Sequence, residues 1–144
     1  MQLTTHTDYS LRLLIYLATQ QGPKTTIQIV AEQFSISANH LAKVAQTLVQ
    51  HNYIVSLRGR GGGLTLAKPV DEINIGKLVR QTENLQLLPC FGNSDSCPID
   101  PACTLKGALA KAQYAFLSVL DEYTLADLVT SANRQQLQGL LNVA

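Results

Sequence analysis

The sequence predicts a mainly α-helical chain: a winged helix-turn-helix with a small α+β wing, followed by a long C-terminal dimerisation helix. Three observations predict this fold class. Two short helical segments flank a tight turn at residues 35–37, a hairpin rich in arginine and glycine follows at residues 58–63, and a long apolar helix starts near residue 104. Helix, helix and basic hairpin in this order are typical of a winged helix. An ordinary helical hairpin with a charged loop is the alternative.

The helix-turn-helix is predicted at residues 27–50, after a first helix at residues 9–20 that Gly22-Pro23 ends. Thr26 is the expected N-cap of the short helix that opens the motif, and Ser37 is the expected N-cap of the helix that closes it near residue 51. The apolar residues of the second helix recur at helical spacing and are expected to face the core: Leu41, Val44, Ala45 and Leu48.

The wing is predicted at residues 54–67, where two short strands flank the sequence RGRGGG. Glycines let a backbone pass close to another chain, and two arginines at a hairpin tip can reach a phosphate backbone or a minor groove. The glycines do not form a nucleotide-binding loop, since the chain has neither GK[ST] nor GxGxxG after a parallel strand.

The distribution of charge indicates a polyanionic partner for the N-terminal half. Residues 1–68 carry six basic and two acidic residues, a net charge of +4, whereas residues 69–144 carry a net charge of −3. We therefore expect residues 1–70 to bind double-stranded DNA, with an operator that is near-palindromic if the chain is dimeric. The candidate contacts from the second helix of the motif and from the wing are Asn39, His40, Lys43, Gln46, Arg58 and Arg60.

Residues 71–130 are predicted to hold a cysteine loop and the dimerisation helix, and residues 131–144 are predicted to be a tail, with a short helix as the alternative. A helix at residues 74–87 precedes the loop, and Thr124 is expected to cap a last short helix. The long helix between them carries an apolar stripe at i, i+3, i+4 spacing: Leu105, Ala108, Leu109, Ala112, Phe116, Val119, Leu120 and Tyr123. The stripe favours dimerisation, and packing within its own chain is the alternative.

The cysteines are the clearest candidate for a metal site. All three lie in one proline-containing loop, Cys90, Cys97 and Cys103, with the spacing C-x6-C-x5-C. Thiolates suit zinc, copper(I) and iron–sulfur clusters, but zinc sites favour close CxxC pairs and cluster proteins usually supply four cysteines. Three cysteines leave a cluster either with one oxygen or nitrogen ligand or with one open iron. The candidates for such a ligand are Asp95 and Asp100 within the loop, and Asp8, His6, His40 and His51 outside it.

The compartment and the function class follow from the same residues. The chain has no apolar run of about 18 residues and no secretory signal pattern at its start, so we expect a cytoplasmic protein whose thiols stay reduced. A zinc-stabilised or thiol-oxidising regulator is one alternative. A small electron carrier or thiol enzyme is another, which the three-cysteine count and the basic hairpin disfavour.

Nearly the whole chain, residues 1 to about 130, resembles the IscR/NsrR family of iron–sulfur winged-helix transcriptional regulators. The residues that carry the resemblance are MQLTTHTDYSLRLLIYLA, SANHLAKVAQTLVQHNYI, RGRGGGLTLAKP, CFGNSDSCPIDPACTLKGAL and YTLADL. The first, fourth and fifth of these are similar to the nitric-oxide-sensitive branch of the family. Lys106 stands where the other branch has a histidine ligand, which argues against that mode of ligation.

The resemblance implies a homodimeric repressor and not an enzyme. It implies that Cys90, Cys97 and Cys103 hold one 4Fe-4S or 2Fe-2S cluster per subunit, with Asp8 from the partner subunit as the fourth ligand. On the sequence alone, Asp8 is an acidic residue that favours the N-terminus of a helix. Nitric oxide is the expected signal, and cluster nitrosylation or loss is expected to relieve repression of nitrosative-stress defence genes. Sensing of iron–sulfur or redox status is the alternative.

Overall fold

The computed structural model describes residues 1–20, 24–92 and 97–143. Seven helices and two strands follow one another in the order α1 Thr5–Thr19, α2 Ile27–Phe34, α3 Ala38–Gln50, β1 Ile54–Leu57, β2 Gly63–Leu66, α4 Ile75–Thr82, α5 Thr104–Asp121, α6 Leu125–Leu128 and α7 Ser131–Leu140. This mainly helical architecture with a two-stranded wing confirms the predicted fold class. Among these helices, none has the length and apolar character needed to cross a membrane.

The first helix begins earlier than its apolar pattern predicts. Its start lies at Thr5 rather than at residue 9, because the Thr4 side chain accepts a hydrogen bond from the Thr7 N–H at 3.3 Å and caps the helix. Asp8 therefore lies inside the first turn of α1, where it favours the positive end of the helix dipole. The predicted stop at Gly22-Pro23 falls outside the described residues.

The helix-turn-helix consists of α2, Ile27–Phe34, and α3, Ala38–Gln50. Thr26 caps α2 and Ser37 caps α3, each by accepting a hydrogen bond from a main-chain N–H in the first turn. Ser35, between the helices, adopts a left-handed conformation with φ 53°, and this makes the turn tight. The predicted inner face of α3 is fully or almost fully buried: Leu41, Val44, Ala45 and Leu48. It packs against α1 and α2 to form the main core.

The wing is an antiparallel hairpin that pairs Ile54 with Leu66 and Leu57 with Gly63. Its inner side chains, Ile54 and Leu64, are 2% and 3% exposed, so they anchor the wing in the core. A main-chain bridge between Thr25 and Leu64 adds a one-residue third strand.

The helix predicted at residues 74–87 is shorter in the structure. α4 ends at Thr82, because Glu83 takes an extended conformation with φ −107° and ψ 146° and directs its carboxylate towards the start of α1. There Glu83 Oε2 accepts hydrogen bonds from Thr4 N at 2.7 Å and Thr4 Oγ1 at 3.1 Å. The inward residues of α4 are buried as predicted: Ile75, Leu78 and Val79.

The long helix α5 packs on α4 through a residue outside the predicted stripe. Leu117 is 7% exposed and contacts Ile75 and Val79 in a second, smaller core. At the end of α5, Asp121 pairs with Arg80, with Nη2 and Oδ2 separated by 2.7 Å. Phe116 and Leu120 of the stripe pack partly against this second core, whereas five of the eight stripe residues are exposed, so the chain covers only part of the stripe itself.

The C-terminal segment forms the helix α7, Ser131–Leu140. α7 lies against α1, where Arg134 Nη1 donates to the Ala18 carbonyl oxygen at 2.6 Å and Gln138 Nε2 donates to the Thr19 carbonyl oxygen at 3.3 Å. These contacts satisfy carbonyl groups at the C-terminus of α1, which has no basic residue in its own last turn. No residue within α7 is buried, and the C-cap Leu141, which is 9% exposed, anchors its end in the main core.

Candidate nucleic-acid interface and metal centre

The exposed face of α3 carries most of the predicted DNA contacts. Asn39, Lys43 and Gln46 are exposed and lie on one side of the helix, opposite its buried residues. Gln50, one further turn along, shares this face. The sequence pattern could have indicated Gln50, because it continues the spacing of 39, 43 and 46. The side chains form a polar surface of the kind that reads base edges in a major groove.

His40 lies on the flank of that face. Its ring meets the ring of Tyr9 in α1 edge-on, with 5.1 Å between centroids and 69° between planes. The His40 side chain remains exposed, and the main-chain N–H of His40 donates to the capping Ser37 Oγ at 3.4 Å. The side chain predicted as a DNA contact is therefore also a contact between α1 and the second helix of the motif.

The tip of the wing presents Arg58 and Arg60 to solvent. The turn that carries the two arginines depends on glycine, because Gly59 and Gly61 have positive φ values of 90° and 72°. A Cβ at Gly62 would lie 2.3 Å from the Leu57 carbonyl oxygen. The glycines thus shape a tight turn that holds both guanidinium groups outward.

The cysteines lie on short turns next to α5. Cys90 is in the 3₁₀ turn Pro89–Phe91, and Cys103 is the N-cap of α5, where its sulfur accepts the Lys106 N–H at 3.4 Å. Cys103 also ends the 3₁₀ turn Asp100–Ala102 that follows Cys97. All three are partly exposed free thiols. Asp95 lies outside the described residues.

Asp100, a candidate fourth ligand, is paired within the loop. Its Oδ1 lies 2.8 Å from Lys106 Nζ, and this hydrogen bond is the main reason that the pKa of Lys106 is raised. The negative charges of Cys90 and Cys103 act in the same direction when these thiols ionise. The Lys106 ammonium group therefore supplies positive charge where thiolates would gather.

Asp8, the fourth ligand implied by the resemblance, is paired with Arg12 in the described chain. Arg12 Nε and Asp8 Oδ1 are 2.9 Å apart, and the hydrogen bond from Arg12 to Asp8 raises the pKa of the guanidinium group. The Asp8 side chain is 42% exposed and so remains accessible. His6 lies in the same first turn, and His51 is the C-cap of α3.

The fold brings the cysteine-bearing turns to one end of α5 without closing a metal site. Over residues 1–20, 24–92 and 97–143, no three His, Cys, Asp or Glu side chains converge in a way that would hold a single metal ion. The donor set nevertheless fits an iron–sulfur cluster, because the three cysteines are partly exposed soft ligands and two of them, Cys90 and Cys103, lie near a compensating ammonium group.

The face of α5 that carries the predicted stripe is open to solvent. Leu105, Val119 and Tyr123 are 60%, 54% and 45% exposed. Three small residues lie between them on the same exposed face: Ala108, Ala112 and Ala115. A mostly apolar groove of about 370 Å³ continues this face between α5 and the N-terminus, and its lining includes Leu3, Leu85, Leu109, Ala112 and Phe116.

Comparison with known proteins gives consistent matches. The profile of the Rrf2 family, described as iron-dependent transcriptional regulators, matches residues 3–131. An HTH-type transcriptional regulator NsrR of Halalkalibacterium halodurans is 49% identical over 146 residues, covering 99% of each chain. The NsrR of Bacillus subtilis is 47% identical over 146 residues, again covering 99% of each chain.

Solved structures agree with this match. T. potens IscR superposes with a TM-score of 0.74 at 25% identity, over 94% of this chain and 91% of that chain. CymR, described as the global cysteine regulator of B. subtilis, superposes with a TM-score of 0.70 at 23% identity, over 89% of this chain and 95% of that one, and shows the shared fold.

Proposed function

The chain belongs to the Rrf2 family of transcriptional regulators, and from this premise we propose that it is a homodimeric repressor that senses nitric oxide through an iron–sulfur cluster. It is a DNA-binding regulator of the IscR/NsrR type and not an enzyme. The observation that carries the finer proposal is the loop of three free thiols that ends at the first turn of α5.

Cys90, Cys97 and Cys103 would hold the cluster. When bound, the cluster supplies iron, which is a strong site for nitric oxide. The three thiols are unpaired and partly exposed, so a small molecule can reach them. Lys106 balances their negative charge, and its pairing with Asp100 ties the last part of the loop to α5. A cytoplasmic location fits these reduced thiols.

A second copy of the chain would cover the exposed face of α5. Alanines at positions 108, 112 and 115 allow two helix backbones to approach closely, and the larger apolar residues flank them. The groove against the N-terminus continues that face, which makes the second copy its occupant as well. In such a dimer, Asp8 of the partner subunit would supply the missing ligand. The α3 helices of the two subunits would then read DNA half-sites that lie one helical turn, about 34 Å, apart.

The contacts of α1 would link Asp8 to the DNA-reading surface. Tyr9, the next residue, packs on His40 of α3, and the guanidinium carbon of Arg12 lies 5.8 Å from the centroid of the Phe34 ring in α2. Asp8 bound by the loop of the partner subunit would exchange its ion pair with Arg12 for that contact, and a released Asp8 would pair with Arg12 as it does in this structure. Both changes would act at the junction of α1 with the helix-turn-helix, and a preference of a few kcal/mol is enough for a switch.

The proposal is tested by measuring iron, zinc and acid-labile sulfide per chain after purification without air. Iron with a matching amount of sulfide, a visible spectrum that changes with nitric oxide, and loss of operator binding after that change would support it. Zinc without sulfide would contradict the cluster and favour a zinc- or thiol-based regulator. Loss of DNA affinity on oxidation rather than on nitric oxide would favour sensing of redox status.

A further inference from the structure

Lys24 and Thr25, which precede α2, lie against the base of the wing. The Leu64 N–H donates to the Thr25 carbonyl oxygen at 2.7 Å, and this bond forms the one-residue third strand. Thr25 is 2% exposed, whereas Lys24 is exposed. Side chains of an extended segment alternate between its two sides, so the buried threonine turns the neighbouring lysine outward.

Gly63 allows this close approach. Its φ of +146° is rare for residues with a side chain, and a Cβ there would lie 2.6 Å from the Thr25 carbonyl oxygen and 2.8 Å from the Lys24 Cβ. Any side chain at position 63 would push the segment away from the wing. The glycine therefore places the root of the Lys24 side chain directly beside the wing backbone.

Several cations of the chain are already held by a partner, and Lys24 is not among them. Arg12, Arg80 and Lys106 are in ion pairs, and the Lys68 ammonium nitrogen lies 4.7 Å from the centroid of the Tyr53 ring. Within the part of the chain that the structure describes, Lys24 makes no ion pair. An exposed lysine on the positively charged half of the chain leaves its full charge available to a polyanion.

We propose that Lys24 is a phosphate-backbone contact at the base of the wing. It lies between the wing and the N-cap of α2, and in helix-turn-helix complexes the first helix of the motif crosses the DNA backbone. An ammonium group is a compact point charge that suits a phosphate oxygen rather than the edge of a base. Lys24 thus adds affinity that does not depend on sequence. The inference rests on DNA binding by this winged helix.

The test uses the full-length protein and a mixed-sequence duplex of about 30 base pairs, long enough for two half-sites. Affinity is measured between about 50 and 200 mM salt for the wild type, Lys24→Gln, Lys24→Arg and the control Lys77→Gln. Lys77 is also exposed, but it lies on α4, away from the wing. In Lys24→Gln, the slope of log affinity against log salt should fall by about 0.9 for each phosphate that Lys24 neutralises in the wild type. Lys24→Arg and Lys77→Gln should keep the wild-type slope.

Two results would overturn the inference. One is a Lys24→Gln slope equal to that of the wild type, and the other is an equal reduction in Lys77→Gln, which would mean that only net charge matters. Failure of DNA binding itself is distinguishable, because the wild type would then show no salt-dependent affinity for any duplex.

Discussion

Asp8 accepts a hydrogen bond from Arg12 Nε at 2.9 Å, one turn further along α1. The guanidinium group of Arg12 also faces the Phe34 ring, so this ion pair lies where α1 meets α2. Exposed pairs at i, i+4 contribute only about 0.3–0.5 kcal/mol. The Asp8–Arg12 ion pair is therefore weak enough that Asp8 could leave it to bind a metal cluster.

Two variants separate the role of Asp8 in this ion pair from its proposed role as a cluster ligand. Asp8→Asn removes both the ion pair and the carboxylate ligand, whereas Arg12→Gln removes the ion pair alone. We expect Asp8→Asn to lose the cluster to a chelator faster than the wild type, and Arg12→Gln to keep the wild-type cluster lifetime. The loss is measured as the decrease in the visible absorbance of the cluster. Equal lifetimes in the two variants would show that the carboxylate is not a ligand.

Replacing one cysteine should remove the cluster without unfolding the chain. In Cys97→Ser we expect iron and sulfide to fall to near zero while the helical circular dichroism is retained, because Cys97 lies on a partly exposed loop outside both cores. The variant should also lose tight operator binding. Ile99→Ala, at a 63% exposed site in the same loop, is the control and should keep its iron. Operator binding by Cys97→Ser that equals the wild type would refute the coupling.

A charge on the open face of α5 should break the dimer. Ala112→Glu places a carboxylate in the middle of the apolar face, where burial without a partner is costly. Ala110→Glu makes the same change at an exposed position off that face. Sedimentation analysis should give a monomer for Ala112→Glu and a dimer for Ala110→Glu. A dimeric Ala112→Glu would place the subunit contact elsewhere.

The wing glycine Gly63 should not tolerate a side chain. Gly63→Ala forces a Cβ against the Thr25 carbonyl oxygen at a positive φ, and we expect a loss of about 1–3 kcal/mol in the free energy of unfolding. Gly107→Ala, within α5 and with no atom within 4 Å of the added Cβ, should instead gain about 0.5–1 kcal/mol. Urea unfolding measures both, and a Gly63→Ala protein as stable as the wild type or more stable would contradict the assigned role of Gly63.

Acid should weaken the contact between α4 and the start of α1. Burial raises the pKa of Glu83, but the hydrogen bonds that it accepts from Thr4 and from the Asn84 N–H, together with the nearby Thr7 hydroxyl, outweigh burial and lower its pKa overall. A lowered folded pKa adds stability above about pH 4.3, the usual value for glutamate, and this stability is lost as the pH falls through the lowered pKa.

In Glu83→Gln, the free energy of unfolding should therefore depend less on pH below about pH 4.3 than in the wild type. Thr4→Ser keeps a hydroxyl donor and should retain the wild-type dependence. Denaturant unfolding at a series of pH values measures the three proteins. A Glu83→Gln curve parallel to that of the wild type throughout this range would rule out the contribution.

The helix-turn-helix could be predicted from sequence because its signals are local. Caps at Thr26 and Ser37 and an apolar period of about 3.6 depend only on neighbouring residues. The ends of α1 and α4 were less predictable. In α1 the capping residue precedes the apolar pattern, and in α4 the helix stops where Glu83 finds a partner 79 positions away. Contacts of that length leave no periodic pattern in the chain.

The candidate site divides in the same way. The three cysteines and the two wing arginines stand out by residue type and spacing, so the sequence alone identifies them. The partners of Asp8 and Asp100 and the position of Lys24 beside Gly63 depend on which segments pack together, as does the burial of Leu117. Composition and short-range periodicity thus determined the fold class and singled out the loop as a candidate metal site. Only the tertiary structure decided which charges are paired and which faces stay open, because those energies arise between residues far apart in the chain.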